Sequence, residues 1–165
     1  MKMIESENKT VRPDGAKVKH VILMASLMQD AEDQAKELQP ARRQRSFHYV
    51  IGCDGNMVQC VPEDFRAWSV QKRSIEENAI SVLFCTKGIP NCSVMPETWK
   101  ALVELVADLC RRYNLEPFTT VKRDGSIIPY FVGADMNRNF ATFLSDVAKK
   151  LHEDKPKRKR KGASV

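Results

Sequence analysis

Side chains able to carry chemistry are few in this chain and widely spaced. There are three histidines, His20, His48 and His152, and five cysteines, Cys53, Cys60, Cys85, Cys92 and Cys110. A metal-activated water needs two or three imidazole, thiolate or carboxylate ligands with one open position. His20 precedes a predicted strand. His48, between Phe47 and Tyr49, reads as a structural histidine inside a hairpin, and His152 lies in the last turn of a closing helix, where a cation complements the helix dipole. A thiol nucleophile needs a nearby base and a lowered pKa. Cys53 and Cys60 fall in the hairpin, but no Cys-His-Asn/Asp spacing accompanies them. Neither Ser69 nor Ser81 sits in a GxSxG elbow, so both read as pocket-lining or turn residues.

The elements that must position these groups follow from periodicity. Lys19 to Met28 is a short apolar run rich in branched residues and predicts a buried strand. A helix is expected from Asp30 to Leu38, stopped near Pro40 and followed by Arg42, Arg43 and Arg45. Ser46 to Pro62 predicts two strands joined at Asp54-Gly55, a pair that supplies the positive φ of a tight turn. Ala79 to Cys85 predicts a second buried strand. From Pro96 to Tyr113, Trp99, Leu102, Val103, Val106, Leu109, Cys110 and Tyr113 recur at helical spacing. Phe118 to Val132 reads as two short strands around Asp124-Gly125, and Asn137 to Leu151 as a helix with Phe140, Phe143, Leu144, Val147 and Leu151 inward. Phe65, Trp68 and Trp99 could wall an apolar cleft; Trp99 reads as core, and Trp68 as near the cleft mouth.

At 165 residues the chain suits one domain, with no need of a disulfide or metal to hold its core. Net charge is +6, and Lys155, Lys157, Arg158, Lys159, Arg160 and Lys161 carry that excess; the remaining 21 basic residues balance 21 acidic ones. The expected layout is a flexible lead-in over residues 1–16, a folded domain over 17–154 and a disordered basic tail over 155–165. That tail, with Arg42, Arg43 and Arg45 beside Phe47 and Tyr49, predicts sequence-blind contact with RNA, DNA or an acidic protein. An odd cysteine count without CxxC predicts a reducing compartment, and no run is apolar enough for a signal peptide or a membrane span, so a cytoplasmic location without membrane contact is expected.

Several of these segments together resemble the type 2 N-acetylmuramoyl-L-alanine amidase family, which includes amidase-type phage lysozymes and peptidoglycan recognition proteins. The resemblance covers about residues 18–151. It is carried by Ser46-Phe-His-Tyr-Val-Ile-Gly-Cys-Asp-Gly55, by Gln59 to Trp68, by Asn78-Ala-Ile-Ser-Val82, by the helix after Met95-Pro96, and by Asp135 with Phe140 five residues on. It implies an α/β fold with a central mixed sheet of about five strands flanked by helices. In working members two histidines and an Asp or Cys hold zinc. The resemblance places Met24 at the first histidine and Lys122 at the second, while Asp135 matches the third ligand. Phe47 matches an assisting tyrosine, Ser69 a substrate-side histidine, and Gly133 a lysine of some members.

A thioether is a poor zinc ligand and an ammonium none at all. These substitutions predict a degenerate cleft of Met24, Phe47, Ser69, Asn78, Lys122 and Asp135 with no metal, no cofactor and no catalytic residue. The expectation is therefore a non-enzymatic family member, phage-encoded, acting inside a bacterial host as a binding or regulatory protein with a protein or nucleic-acid partner. Two alternatives stand beside it: a divergent zinc amidase that degrades peptidoglycan, and a non-catalytic binder of peptidoglycan fragments. The oligomeric state is not legible in the sequence.

Overall fold

A computed structural model describes residues 1–117 and 125–155. Its elements, in chain order, are β1 (Lys2–Met3), β2 (Lys9–Val11), β3 (His20–Ser26), α1 (Ala31–Leu38), a 3₁₀ turn (Ala41–Arg43), β4 (Tyr49–Ile51), β5 (Met57–Gln59), β6 (Phe65–Ala67), α2 (Arg73–Glu76), β7 (Ala79–Cys85), α3 (Pro96–Tyr113), β8 (Ile127–Pro129) and α4 (Gly133–Glu153). Six strands form one mixed sheet in the order β1-β5-β4-β7-β3-β8, in which only β4 and β5 run antiparallel to each other. The α/β architecture is the expected one, with one strand more than the sequence predicted. A separate antiparallel pair joins β2 to β6.

The two apolar runs, β3 and β7, lie side by side at the centre because both of their faces are covered, which is what a continuous apolar strand requires. On one face Val21, Leu23, Val82 and Phe84 pack against Leu102, Val106 and Leu109 of α3 and Phe143 and Val147 of α4. On the other, Ile22, Met24 and Leu83 meet Phe47, Val50 and the small residues Ala31 and Ala35 of α1. Asp30 caps α1 by accepting the Asp33 N–H at 2.9 Å. Pro96 opens α3, and Asn114, at φ +55°, closes it.

The hairpin turn forms where Asp54-Gly55 predicts it. Asp54 Oδ1 accepts the Asn56 N–H at 2.9 Å, and Gly55 has φ +83°. A Cβ there would lie 2.9 Å from the Glu97 carbonyl oxygen, so the residue is also the contact point between hairpin and α3. At the far end of the hairpin Glu63 ties the same two units together. Its carboxylate accepts the hydroxyls of Tyr49 and Tyr113, the latter at 2.5 Å, and both arms of the Arg112 fork at 2.8 and 2.9 Å.

Residues 1–16 are not the flexible lead-in the sequence suggested. Lys2 and Met3 pair with Val58 and Gln59, and Lys9–Val11 pairs with Phe65–Ala67. Between them Ile4, Ser6 and Asn8 are buried. Arg12 donates from Nε to Glu63 O at 3.0 Å, from Nη1 to Glu77 O at 2.8 Å and from Nη2 to Ala79 O at 2.7 Å. The segment is held by backbone pairing and polar bonds, and so carries no apolar period to read. Of the two strands expected between Phe118 and Val132, β8 is present and residues 118–124 lie outside the described residues. Helix α4 starts four residues before the predicted Asn137, through weak helix formers that pattern reasoning passes over. The expected tail lies outside the described residues from 156 onward.

Candidate functional site

In open sheets built of parallel strands, ligands collect beyond the carboxyl ends of the strands. Here the end of β3 borders a cavity of about 220 Å³ whose wall includes Met24, Ser26, Gln34, Glu37, Arg45 and Phe47. Strand alternation turns Met24 to this side, with Ile22, and away from the α3/α4 layer. Ser26 donates its hydroxyl proton to Gln34 Oε1 and accepts the Met28 N–H at 3.0 Å, fixing the bend out of the strand.

Arg45 is expected, with Arg42 and Arg43, to contact nucleic acid or an acidic protein, yet Gln44, in the left-handed region at φ +51°, turns the chain so that Arg45 comes in against the sheet. Its Nη2 donates toward Met24 Sδ at 2.8 Å, its Nε donates to Ser69 O at 3.1 Å, and its guanidinium carbon lies 5.5 Å from the centre of the Phe47 ring. The signal available was position: two residues before a Phe at the entry of a buried strand, an arginine stem has apolar surface to follow. Arg43, by contrast, is exposed and pairs with Glu37 at 3.0 Å, and Arg42 is exposed. Lys155 is exposed at the end of the described chain; Lys157, Arg158, Lys159, Arg160 and Lys161 lie outside it.

Of the six cleft residues expected from sequence, the structure brings Met24 and Phe47 together and links Ser69 to them through Arg45. Ser69 is fully buried, and its hydroxyl accepts that of Ser81 at 2.7 Å. Asn78 is elsewhere: its carbonyl accepts the Lys19 N–H at 2.8 Å, at the start of β3, about 13 Å of strand from Met24. Lys122 lies outside the described residues. At the end of β3, Tyr130 donates its N–H to Leu23 O at 2.8 Å as β8 ends. Asp135 is not on the cavity wall. Its carboxylate accepts the Val94 N–H at 2.8 Å and the Asn139 side-chain amide at 3.0 Å, in the first turn of α4, where a negative charge is favoured. Gly133, with φ +79°, would put a Cβ 2.5 Å from that of Cys92, which excludes the lysine some relatives carry there.

The zinc that the resemblance implies does not fit the residues described. Among them no three His, Cys, Asp or Glu groups are placed to share an ion. His48 is fully buried with both nitrogens engaged: Nδ1 accepts the Ser81 N–H at 2.9 Å and Nε2 donates to Phe65 O at 2.8 Å. Burial pushes its pKa down to about 4. His20 binds Gly125 O through Nδ1 at 2.8 Å, at the other end of the strand. At Met24 a dication would meet the guanidinium already there.

A second cavity of about 320 Å³ lies on the other side of the Gln44-Arg45 segment, walled by Gln44, Arg66, Trp68, Gln71, Arg73 and Glu76. Glu76 is buried but fully engaged: it accepts the N–H groups of Val70 and Gln71 at 3.0 and 2.9 Å and pairs with Arg66 at 3.2 Å. Trp68 donates its indole N–H to Thr10 Oγ1 at 2.9 Å, leaving its ring as a wall. Trp99 is partly buried, packed on the core edge-on to Phe143 at 5.4 Å. Among the described residues no helix is long and apolar enough to cross a membrane.

Residues 14–159 match the sequence model of the family described as N-acetylmuramoyl-L-alanine amidase. Among solved structures the chain is similar to the PlyG catalytic domain, with TM-score 0.70 and 16% identity over 91% of this chain and 94% of that one. It is also similar to the Staphylococcus aureus hydrolase AmiA in complex with its ligand, with TM-score 0.70 and 12% identity over 91% and 82% of the two chains. A mutant endolysin from Bacillus subtilis gives TM-score 0.63 and 15% identity over 88% and 97%. At these identities the structures speak for the fold. No curated protein is a match. The expectation of a non-enzymatic protein is corrected by the family match, because the family is one of enzymes.

Proposed function

Because the chain belongs to the N-acetylmuramoyl-L-alanine amidase family, we propose that it hydrolyses the amide bond joining N-acetylmuramic acid to L-alanine in muropeptides. The observation that supports this reading most is the extent of the family match, which takes in every element of the main sheet except β1, together with an open cavity at the carboxyl end of β3. In the reaction one water adds across the C–N bond. The acyl carbon gains a hydroxyl and becomes a carboxylate, and the nitrogen leaves as the amine of L-alanine.

The residues of the cavity have parts to play in that chemistry. Met24 and Phe47 give an apolar wall that keeps bulk water from the acyl group. Glu37 is the carboxylate on the wall, suited to take the proton of the attacking water and return it to the leaving nitrogen. The polar cavity beside Trp68 has the size and hydrogen-bonding groups for the sugar or the peptide stem. Among the described residues the donors do not fit a metal ion.

The test is incubation of the full chain with N-acetylmuramoyl-L-alanyl-D-isoglutamine, with chelator and with added zinc, read by mass spectrometry. Release of L-alanyl-D-isoglutamine that slows by about two orders of magnitude in Glu37→Gln is the expected result. Intact substrate under both conditions overturns the reading.

A further inference from the structure

We propose that Arg45 supplies, in place of a metal ion, the fixed positive charge of the cavity at the end of β3, and that this cavity binds a carboxylate. Arg45 stands apart from the other inward-turned arginines. Arg66 is paired with Glu76 at 3.2 Å, and Arg12 is surrounded by backbone carbonyls. Arg45 is half-buried against a thioether, an aromatic ring and one carbonyl, and among the described residues it makes no ion pair. A guanidinium carried into a protein without a counter-charge is costly unless something arrives to pair with it.

The geometry of its donors says what that partner is. A guanidinium has five N–H groups. One, on Nε, is used by Ser69 O, and one, on Nη2, points at Met24 Sδ. Both protons of Nη1 and the second of Nη2 have no acceptor among the described residues. Two parallel N–H groups on adjacent nitrogens match the two oxygens of a carboxylate. The one acidic group on the wall among the described residues, Glu37, is already paired with Arg43 at 3.0 Å, and the Gln34 side-chain amide lies 3.4 Å from it as a further donor facing the cavity.

As to source, and here the inference rests on the reading above, the reaction leaves a carboxylate on N-acetylmuramic acid, while peptide stems carry carboxylates of their own. Both are the same chemistry to Arg45. A probe without sugar separates this inference from the hydrolysis it is attached to.

The experiment is titration of the full chain, in chelator, with N-acetyl-L-alanine and with N-acetyl-L-alaninamide, following the Arg45 Nε–Hε resonance and the Met24 methyl by NMR. The carboxylate is expected to shift both saturably at millimolar concentration, and the amide to shift neither. Arg45→Lys, which keeps the charge and loses the fork, should weaken binding about tenfold, the worth of one charge-assisted hydrogen bond. Arg45→Met should abolish it. Glu37→Gln, which keeps the shape of this partly buried wall residue, should tighten binding about threefold by removing a competing negative charge. Added zinc should change nothing. Equal binding of the amide, binding by Arg45→Met at wild-type strength, or a requirement for zinc would each overturn the proposal. If Arg45→Met fails to fold, Arg45→Lys and Glu37→Gln decide it. Carboxylate binding at Arg45 beside an uncut muropeptide would remove the amidase reading and leave this one; cleavage with no effect at Arg45 would do the reverse.

Discussion

Replacing Glu63 with glutamine should destabilise the protein in a way that depends steeply on pH. Burial alone would raise the pKa of this carboxyl, but the Arg112 fork and the hydroxyls of Tyr113 and Tyr49 outweigh it and bring the value down to about 2, from an ordinary 4.5. The side chain is only 16% exposed, so solvent screening leaves most of the effect. A folded-state pKa below the unfolded one gives stability that is complete above the unfolded value and is lost as pH falls through the folded one. At 1.36 kcal/mol per unit, the charge of Glu63 contributes about 3 kcal/mol at pH 7 and about 1.4 kcal/mol at pH 3. Glutamine keeps the shape and one acceptor oxygen while removing the charge. Urea denaturation of wild type and Glu63→Gln should therefore give a difference of about 3 kcal/mol at pH 7 that shrinks to about half by pH 3. A difference below about 1 kcal/mol at pH 7, or one that stays level over that range, would refute the reasoning, since the tie would then be no stronger than an exposed ion pair.

Gly55→Ala should cost about 2 kcal/mol in thermal or urea unfolding, through a positive φ and a Cβ set 2.9 Å from the Glu97 carbonyl; a neutral result would mean that the hairpin tip moves freely from α3. The thiols should divide two to three under a disulfide reagent at pH 8. Burial holds Cys60 and Cys85 up at about 12 and Cys110 at about 11, so native protein should react at Cys53 and Cys92 alone, while all five react in denaturant.

The parts of the fold legible beforehand are those that apolar period or turn chemistry writes into neighbouring residues. β3 and β7 show as branched apolar runs, α3 as a stripe from Trp99 to Tyr113, and the hairpin as Asp54-Gly55. β1 and β2 were invisible because their partners are 54 to 58 residues away in sequence and their bonds are backbone to backbone, which leaves Lys9-Thr-Val11 looking like any polar stretch. The site was half legible. Met24 could be placed because it sits on β3, and Phe47 because it leads into β4, whereas Asn78 and Asp135, expected in the same cleft, lie off the wall of this cavity. Arg45 reads with its basic neighbours because charge in a sequence suggests solvent, and its one local sign of burial, a Phe two residues on, does not reveal the turn that the Gln44 backbone makes.

One consequence concerns Arg12. The family match begins at residue 14, yet this side chain, two positions earlier, crosslinks the carbonyls of Glu63, Glu76, Glu77 and Ala79 and touches the imidazole of His48 at 3.3 Å. A fragment trimmed to the matched boundary would leave four acceptors and a sealed ring stranded around a hole the width of a guanidinium. Anyone expressing this domain should therefore keep its first dozen residues, because the keystone of its β6–β7 corner lies outside the stretch by which relatives are recognised.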